Sequence, residues 1–207
     1  MAYYASHAEG RQNKALNNYT HAEGQGNEVY GQFSHVEGNL NLVYGEASHA
    51  EGKYTVVNGN NGSHAEGKHT LADGDNSHAE GLGNRTVTEQ TFSGSGTFYT
   101  SNSNHSLKVN DIVCIEGVYN KIAKISATTS NTVTLADSLS SIEITNKKLE
   151  KLSGVAYGSV SHVEGNQNIA IGYGSHAEGA LTTAKGSYSH SEGYNTISIG
   201  SYSHAEG

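Results

Sequence analysis

Ten times in this chain a histidine is followed two residues later by a glutamate. The pairs are His7 and Glu9, His21 and Glu23, His35 and Glu37, His49 and Glu51, His64 and Glu66, His78 and Glu80, His162 and Glu164, His176 and Glu178, His190 and Glu192, and His204 and Glu206. An imidazole beside a carboxylate has three chemical uses. It can move a proton as a positioned base, ligate zinc or a neighbouring transition metal, or form a charge-assisted hydrogen bond when the ring is protonated. The copy number decides among them. A catalytic centre is built once, from differing residues that converge in a pocket, and ten identical pairs are scaffolding. Pairs repeated along one direction also point in parallel, which argues against several ligands converging on one ion. The expectation is a structural interface ladder of these twenty residues, with no catalytic residue, no metal site and no cofactor.

The elements that carry the pairs follow from their spacing. Each pair sits in a Ser-His-Ala-Glu-Gly pentapeptide or a near copy, and the histidines recur every 14 residues, with one step of 15 before His64 and one of 84 after His78. A fixed period decides the fold before any local pattern does. With the motif glycine as position 14, position 3 is Asn or Thr and position 5 is small or β-branched. Position 7 is Gly in all but one turn, position 10 is Ser or Thr, and position 12 is Ala, Val or Ser. Side chains alternate across a strand with period two. Positions 3 and 5, then 10 and 12, therefore line the inside of a two-stranded coil, and the glycines at 7 and 14 serve its corners. A helix is excluded, because two glycines per period would cost roughly 2 kcal/mol each time. The fold class is all-β, a parallel β-roll of 14-residue repeats.

Positions 11 and 13 point outward from one strand, so stacking in register makes a column of imidazoles beside a column of carboxylates. Stacked carboxylates repel one another, and the imidazole column is the regular candidate to offset them. Carboxylates so placed are expected to raise the histidine pKa, giving a roll that is tougher near about pH 6 than near about pH 9. The opposite outward face, positions 4 and 6, is irregular, and the tyrosines of the array read as scattered. Those tyrosines suit packing, or a surface for sugars or proteins. A face repeated ten times suits a partner that repeats too, and the simplest is another copy of the chain.

Composition agrees. The 207 residues include 26 Gly and no Pro or Trp, with 34% hydrophobic residues, enough for a thin solenoid of small side chains. No apolar run approaches a membrane span, so no membrane insertion is expected. Tyr3 and the first repeat follow Met1 directly, which predicts no signal peptide. The lone Cys114 excludes an internal disulfide framework. The net charge of −8 lies wholly on the repeats, since residues 86–155 hold six basic and six acidic residues. Without a basic stripe, nucleic acid is not an expected partner.

The 84-residue step is one period plus 70 residues, which places an insertion inside a single turn. The expected domains are β-roll at 1–85, a small inserted β domain at 86–155, and β-roll again at 156–207. Within the insert, strands are expected at 112–115, 121–127 and 132–135, with a turn at 118–120. Thr145 and Asn146 are expected to cap a helical turn carrying Leu149 and Leu152, ended by Gly154. The whole reads as a small barrel-like module. Residues 93–104 read as a loop or irregular hairpin, or as a ligand-contacting tip with Phe98 and Tyr99.

The repeats, taken together, resemble the head repeats of trimeric autotransporter adhesins, the YadA-like or Hep/Hag-type roll. In the Ser-His-Ala-Glu-Gly form they are similar to arrays in phage and prophage tail-fibre-like proteins. The resemblance covers residues 1–85 and 156–207. It implies a left-handed roll, an obligate homotrimer, and attachment to a host cell-surface glycan or protein, on a virion tail fibre or a bacterial surface. The pattern breaks off at Gly207 without a cap, which reads as part of a longer fibre. Enzymatic alternatives fit less well. The hexapeptide repeat of β-helix acyltransferases is absent. A glycan-cleaving tailspike would need paired carboxylates, and Asp111, Glu116, Asp137 and Glu143 of the insert are not paired by sequence. A metal-binding His-Glu ladder is the remaining alternative. The Gly-Gly-x-Gly-x-Asp pattern of calcium-binding rolls and a flat threonine face for ice are both missing.

Overall fold

A computed structural model describes residues 4–101, 105–116, 118–136 and 142–207. No helix occurs among the described residues, so none is long and apolar enough to cross a membrane. The chain divides into two compact units, one of Met1–Asn84 with Ser153–Gly207, the other of Arg85–Leu152.

The first unit is a β-solenoid. Each turn lays down one short strand in each of two parallel sheets, ten-stranded and nine-stranded. The ten-stranded sheet consists of the strands that begin at the motif histidines, from His7–Arg11 to His204–Glu206. The nine-stranded sheet holds positions 4 and 5, from Lys14–Ala15 to Ile197–Ser198. Register is one-to-one: His21 pairs with His35, Ala22 with Val36 and Glu23 with Glu37. The 15-residue step does not disturb it, because His49 still pairs with His64. The extra residue is absorbed at a corner where Asn61 and Gly62 both take positive φ. Nor does the 84-residue step, since His78 pairs with His162 and Ala72 with Ala156.

The interior is as narrow as positions 3, 5, 10 and 12 require. One apolar cluster of Ala and Val at positions 5 and 12 runs from Ala22 to Ala184. Buried asparagines at position 3 make up for the lack of larger apolar groups. The Asn41 Nδ2 donates to the carbonyls of Glu37 at 2.5 Å and Gly52 at 3.0 Å, while its Oδ1 accepts the Thr55 N–H at 2.9 Å. Asn168 repeats the arrangement with Glu164, Gly179 and Thr182. Serines at position 10 tie the other corner: Ser48 Oγ donates to the Gly59 carbonyl at 3.1 Å, and Ser34 Oγ accepts the Ser48 N–H at 3.0 Å. Asn41, Asn168, Ser34 and Ser48 can occupy a dry core because they find partners within their own turn and one turn away.

The two corner glycines have different reasons. Those at position 14 from Gly10 to Gly193 take φ from +97° to +105°, a region closed to other L residues. Those at position 7 do not take positive φ. There a Cβ would overlap the carbonyl oxygen of the equivalent glycine one turn on, as at Gly45 and Gly172. Left-handed backbone also occurs at positions 2 and 9, where the residue is rarely glycine: Tyr19, Phe33, Tyr54, His69, Tyr188 and Tyr202 all take it. Several of the array tyrosines, which read as scattered in the sequence, stack on a ring one turn away. Tyr19 stacks on Phe33 at 5.1 Å, Tyr30 on Tyr44 at 4.9 Å, Tyr54 on His69 at 5.0 Å and Tyr188 on Tyr202 at 5.3 Å.

The chain leaves the solenoid at Asn84 and returns at Ser153, where the Asn84 N–H donates to Ser153 Oγ at 3.1 Å. Val155 belongs to the solenoid sheet, paired with Leu71, so residues 153–155 come out of the domain expected at 86–155. The second unit is an eight-stranded sheet whose core includes Phe92, Phe98, Val113, Ile125, Val133 and Leu149. Ile112–Ile115 and Thr132–Leu135 are strands as the sequence suggests. Two expectations are corrected. Residues 118–120 form no turn; Val118–Thr128 is one continuous strand. The helical turn at 145–154 is instead two strands, Glu143–Lys147 and Leu149–Ser153. The three-residue step from Leu149 to Leu152 looked helical, but Leu149, Glu150 and Leu152 are all buried against the antiparallel partner Ile112–Ile115. Tertiary pairing overrides the local signal here. Phe92–Ser95 and Thr97–Tyr99 form a tight hairpin with Phe98 buried and Tyr99 exposed; residues 102–104 lie outside the described residues.

Candidate functional site: the histidine–glutamate face

The ten-stranded sheet positions all ten pairs. Its strands place position 12 inward and positions 11 and 13 outward, and parallel register puts each imidazole directly over the next. From His21 to His204 the rings stack at 4.7–4.9 Å between centroids, close to the strand spacing. Only the first step, His7 to His21, is edge-on, at 5.2 Å. The stack runs without a break over the 84-residue step, with His78 on His162 at 4.8 Å.

Within each turn from His7 to His176, Nε2 lies 3.5–3.9 Å from the glutamate Oε2 of the same turn. That distance suits an ion pair but is too long for a good hydrogen bond. The last two turns switch partners. His190 faces Glu178 of the preceding turn at 3.7 Å, and His204 Nε2 comes within 2.9 Å of Glu192 Oε1. The Nε2 atoms of His21, His35, His49, His64, His78, His162, His176 and His190 are buried and have no hydrogen-bond partner among the described residues.

The expected rise in histidine pKa is reversed where a shift is resolved. Burial first, and then the charge of the flanking imidazoles, push His35, His64 and His162 below the usual histidine value. His176 shifts the same way, through burial and then His190. The glutamates pull upward but lose. Each ring has another ring within 5 Å on either side, and the carboxylates do not close to hydrogen-bonding distance. At these four positions burial and the neighbouring rings favour the neutral imidazole.

The view that parallel side chains cannot converge also needs correction. Five named groups, among them His21 with Glu23 and His35, and His49 with Glu51 and His64, bring three ligand-type atoms within 4.8 Å of one another. Sequence spacing alone missed this, because the third donor comes from the next turn.

Asp111 bridges Lys151 Nζ at 2.8 Å and accepts the Lys108 N–H at 2.8 Å, which fixes it as a turn residue. Glu116 and Glu143 are exposed, and Asp137 lies outside the described residues. A carboxylate that sequence reasoning missed, Glu150, is buried and accepts from the Cys114 thiol at 3.8 Å. Burial, then the Glu150 charge, push that thiol well above its ordinary pKa, so Cys114 is an inert core residue rather than a nucleophile. The chain matches no protein-family model and no curated protein.

Proposed function

We propose that this chain is a non-enzymatic segment of a homotrimeric attachment fibre. Three solenoids pack through their His-Glu faces, and the assembly binds a cell-surface glycan or protein. The observation that carries this reading is the unbroken outward column of His and Glu, in register over ten strands, with side chains that stay about one-third to one-half exposed in the single chain. A face that repeats at every turn is complemented most simply by a surface with the same repeat, which is a second copy. The interior gives further support. Among the described residues one solenoid buries Ala, Val and Leu71 beside its polar groups, little apolar area to offset the ordering of so many residues.

The wider reading places the fibre outside the cell, on a virion tail or a bacterial surface, with a left-handed winding, in keeping with the resemblance of its repeats to adhesin heads. Three copies of the Arg85–Leu152 unit would give avidity to individually weak contacts. The test is to apply the labelled full chain to an array of bacterial surface glycans and to whole cells. Saturable binding without release of sugar products is expected. Cleavage of the arrayed glycans would overturn the non-enzymatic reading, and absence of binding to glycans and cells alike would overturn attachment.

A further inference from the structure

We propose that the His-Glu face is a linear transition-metal site, in which Zn²⁺ or a similar divalent ion is held between consecutive turns by two imidazole Nε2 atoms and one carboxylate. The three donors come from a single chain, so the inference does not depend on the trimer.

The donor set comes first. Neutral imidazole and carboxylate are zinc, nickel and copper ligands, whereas calcium and magnesium prefer all-oxygen shells. The turns of His35, His49, His64, His78 and His162 hold Nε2 and Oε2 at 3.5–3.9 Å. Two ligands of one tetrahedral zinc, each about 2.0–2.1 Å from the metal, stand roughly 3.3 Å apart. The in-turn pair is therefore already near a ligation distance. The second imidazole, one turn on, has its donor within 4.8 Å of both and approaches further by rotating a side chain that is about one-third exposed. The eight unpartnered Nε2 atoms supply the lone pairs. A fourth position stays open for water or another carboxylate.

Stoichiometry follows from sharing. His64 belongs to the group with His49 and to the group with His78, and one Nε2 serves one ion. Ten ladder histidines taken two at a time set a ceiling of five ions per chain. Three groups that share no residue, His21/His35, His49/His64 and His78/His162, set a floor of three. Charge agrees with the ceiling: five divalent ions carry ten positive charges, matching the ten motif glutamates. Metal would thus relieve both defects of the face, the unsatisfied nitrogens and the stacked carboxylates.

The test is equilibrium dialysis of the untagged full chain against Zn²⁺ with excess Mg²⁺, counting bound metal by atomic emission. Three to five zinc ions per chain are expected. His64→Gln with His162→Gln disrupts four of the five named groups and should lower the count by at least two, with circular dichroism confirming the fold; His105→Gln, outside the ladder, should leave it unchanged. Glu66→Gln with Glu164→Gln keeps every imidazole and should weaken uptake at the affected sites by at least about tenfold, since even an outer-shell partner is worth about 10–100-fold. Fewer than one zinc per chain, displacement by Mg²⁺, or full uptake by the double histidine variant would overturn the proposal. A monomer that takes up three to five zinc ions would refute the trimer and leave the metal site standing.

Discussion

Gly172 stands at position 7 of its repeat, where a Cβ would overlap the Gly186 carbonyl one turn on. Gly172→Ala should therefore destabilise by about 1–3 kcal/mol or more, read by chemical denaturation. A variant as stable as the parent chain would mean that the close approach of turns is not what position 7 serves. The ladder histidines give a second residue-scale prediction. For His35, His64, His162 and His176 the folded pKa lies below the unfolded one, lowered by burial and by neighbouring imidazoles against the pull of Glu23, Glu37, Glu51, Glu66, Glu80, Glu164, Glu178 and Glu192. Protonation then favours the unfolded chain. Their contribution is complete above the unfolded value of about 6.5 and is lost as pH falls through it toward the folded value. With chelator present, the melting temperature should drop between about pH 7.5 and about pH 5. His64→Gln with His162→Gln should flatten that slope. A melting temperature that rises on acidification would mean that the carboxylates dominate after all.

At the scale of elements, the solenoid turn closes on itself wherever the insert leaves it. The backbones of Gly83 and Gly154 touch, and the core and the imidazole stack cross the junction unbroken. Joining Asn84 to Ser153 by deleting Arg85–Leu152 should leave a folded parallel-β protein by circular dichroism, with a cooperative melt. An aggregated or unfolded product would show that the solenoid depends on the second unit. Much of this element was legible in the sequence. Strict periodicity fixed which positions face inward, because a one-residue error would put His and Glu in the core and Ala outside. The reasons for the glycines, the stacked Tyr19 and Phe33, and the three-donor groups were not legible, since each depends on what lies one turn away rather than on neighbours in the chain. The second unit was less legible for the opposite reason. It has no period, and Leu149 and Leu152 carry a helical spacing that only the pairing with Ile112–Ile115 overrides.

For the whole molecule the account turns on what covers the His-Glu face. The net charge of −8 lies on the repeats, so copies that meet through this face must bring imidazoles, rather than bare carboxylates, into contact. The stacked rings from His21 to His204 provide that surface. The central claim is therefore one of oligomeric state. Size-exclusion chromatography with multi-angle light scattering, at micromolar concentration and neutral pH in chelator, measures it directly. The account predicts a single species of about 65 kDa, three times the 21.8 kDa chain. A folded species at 21.8 kDa would contradict it.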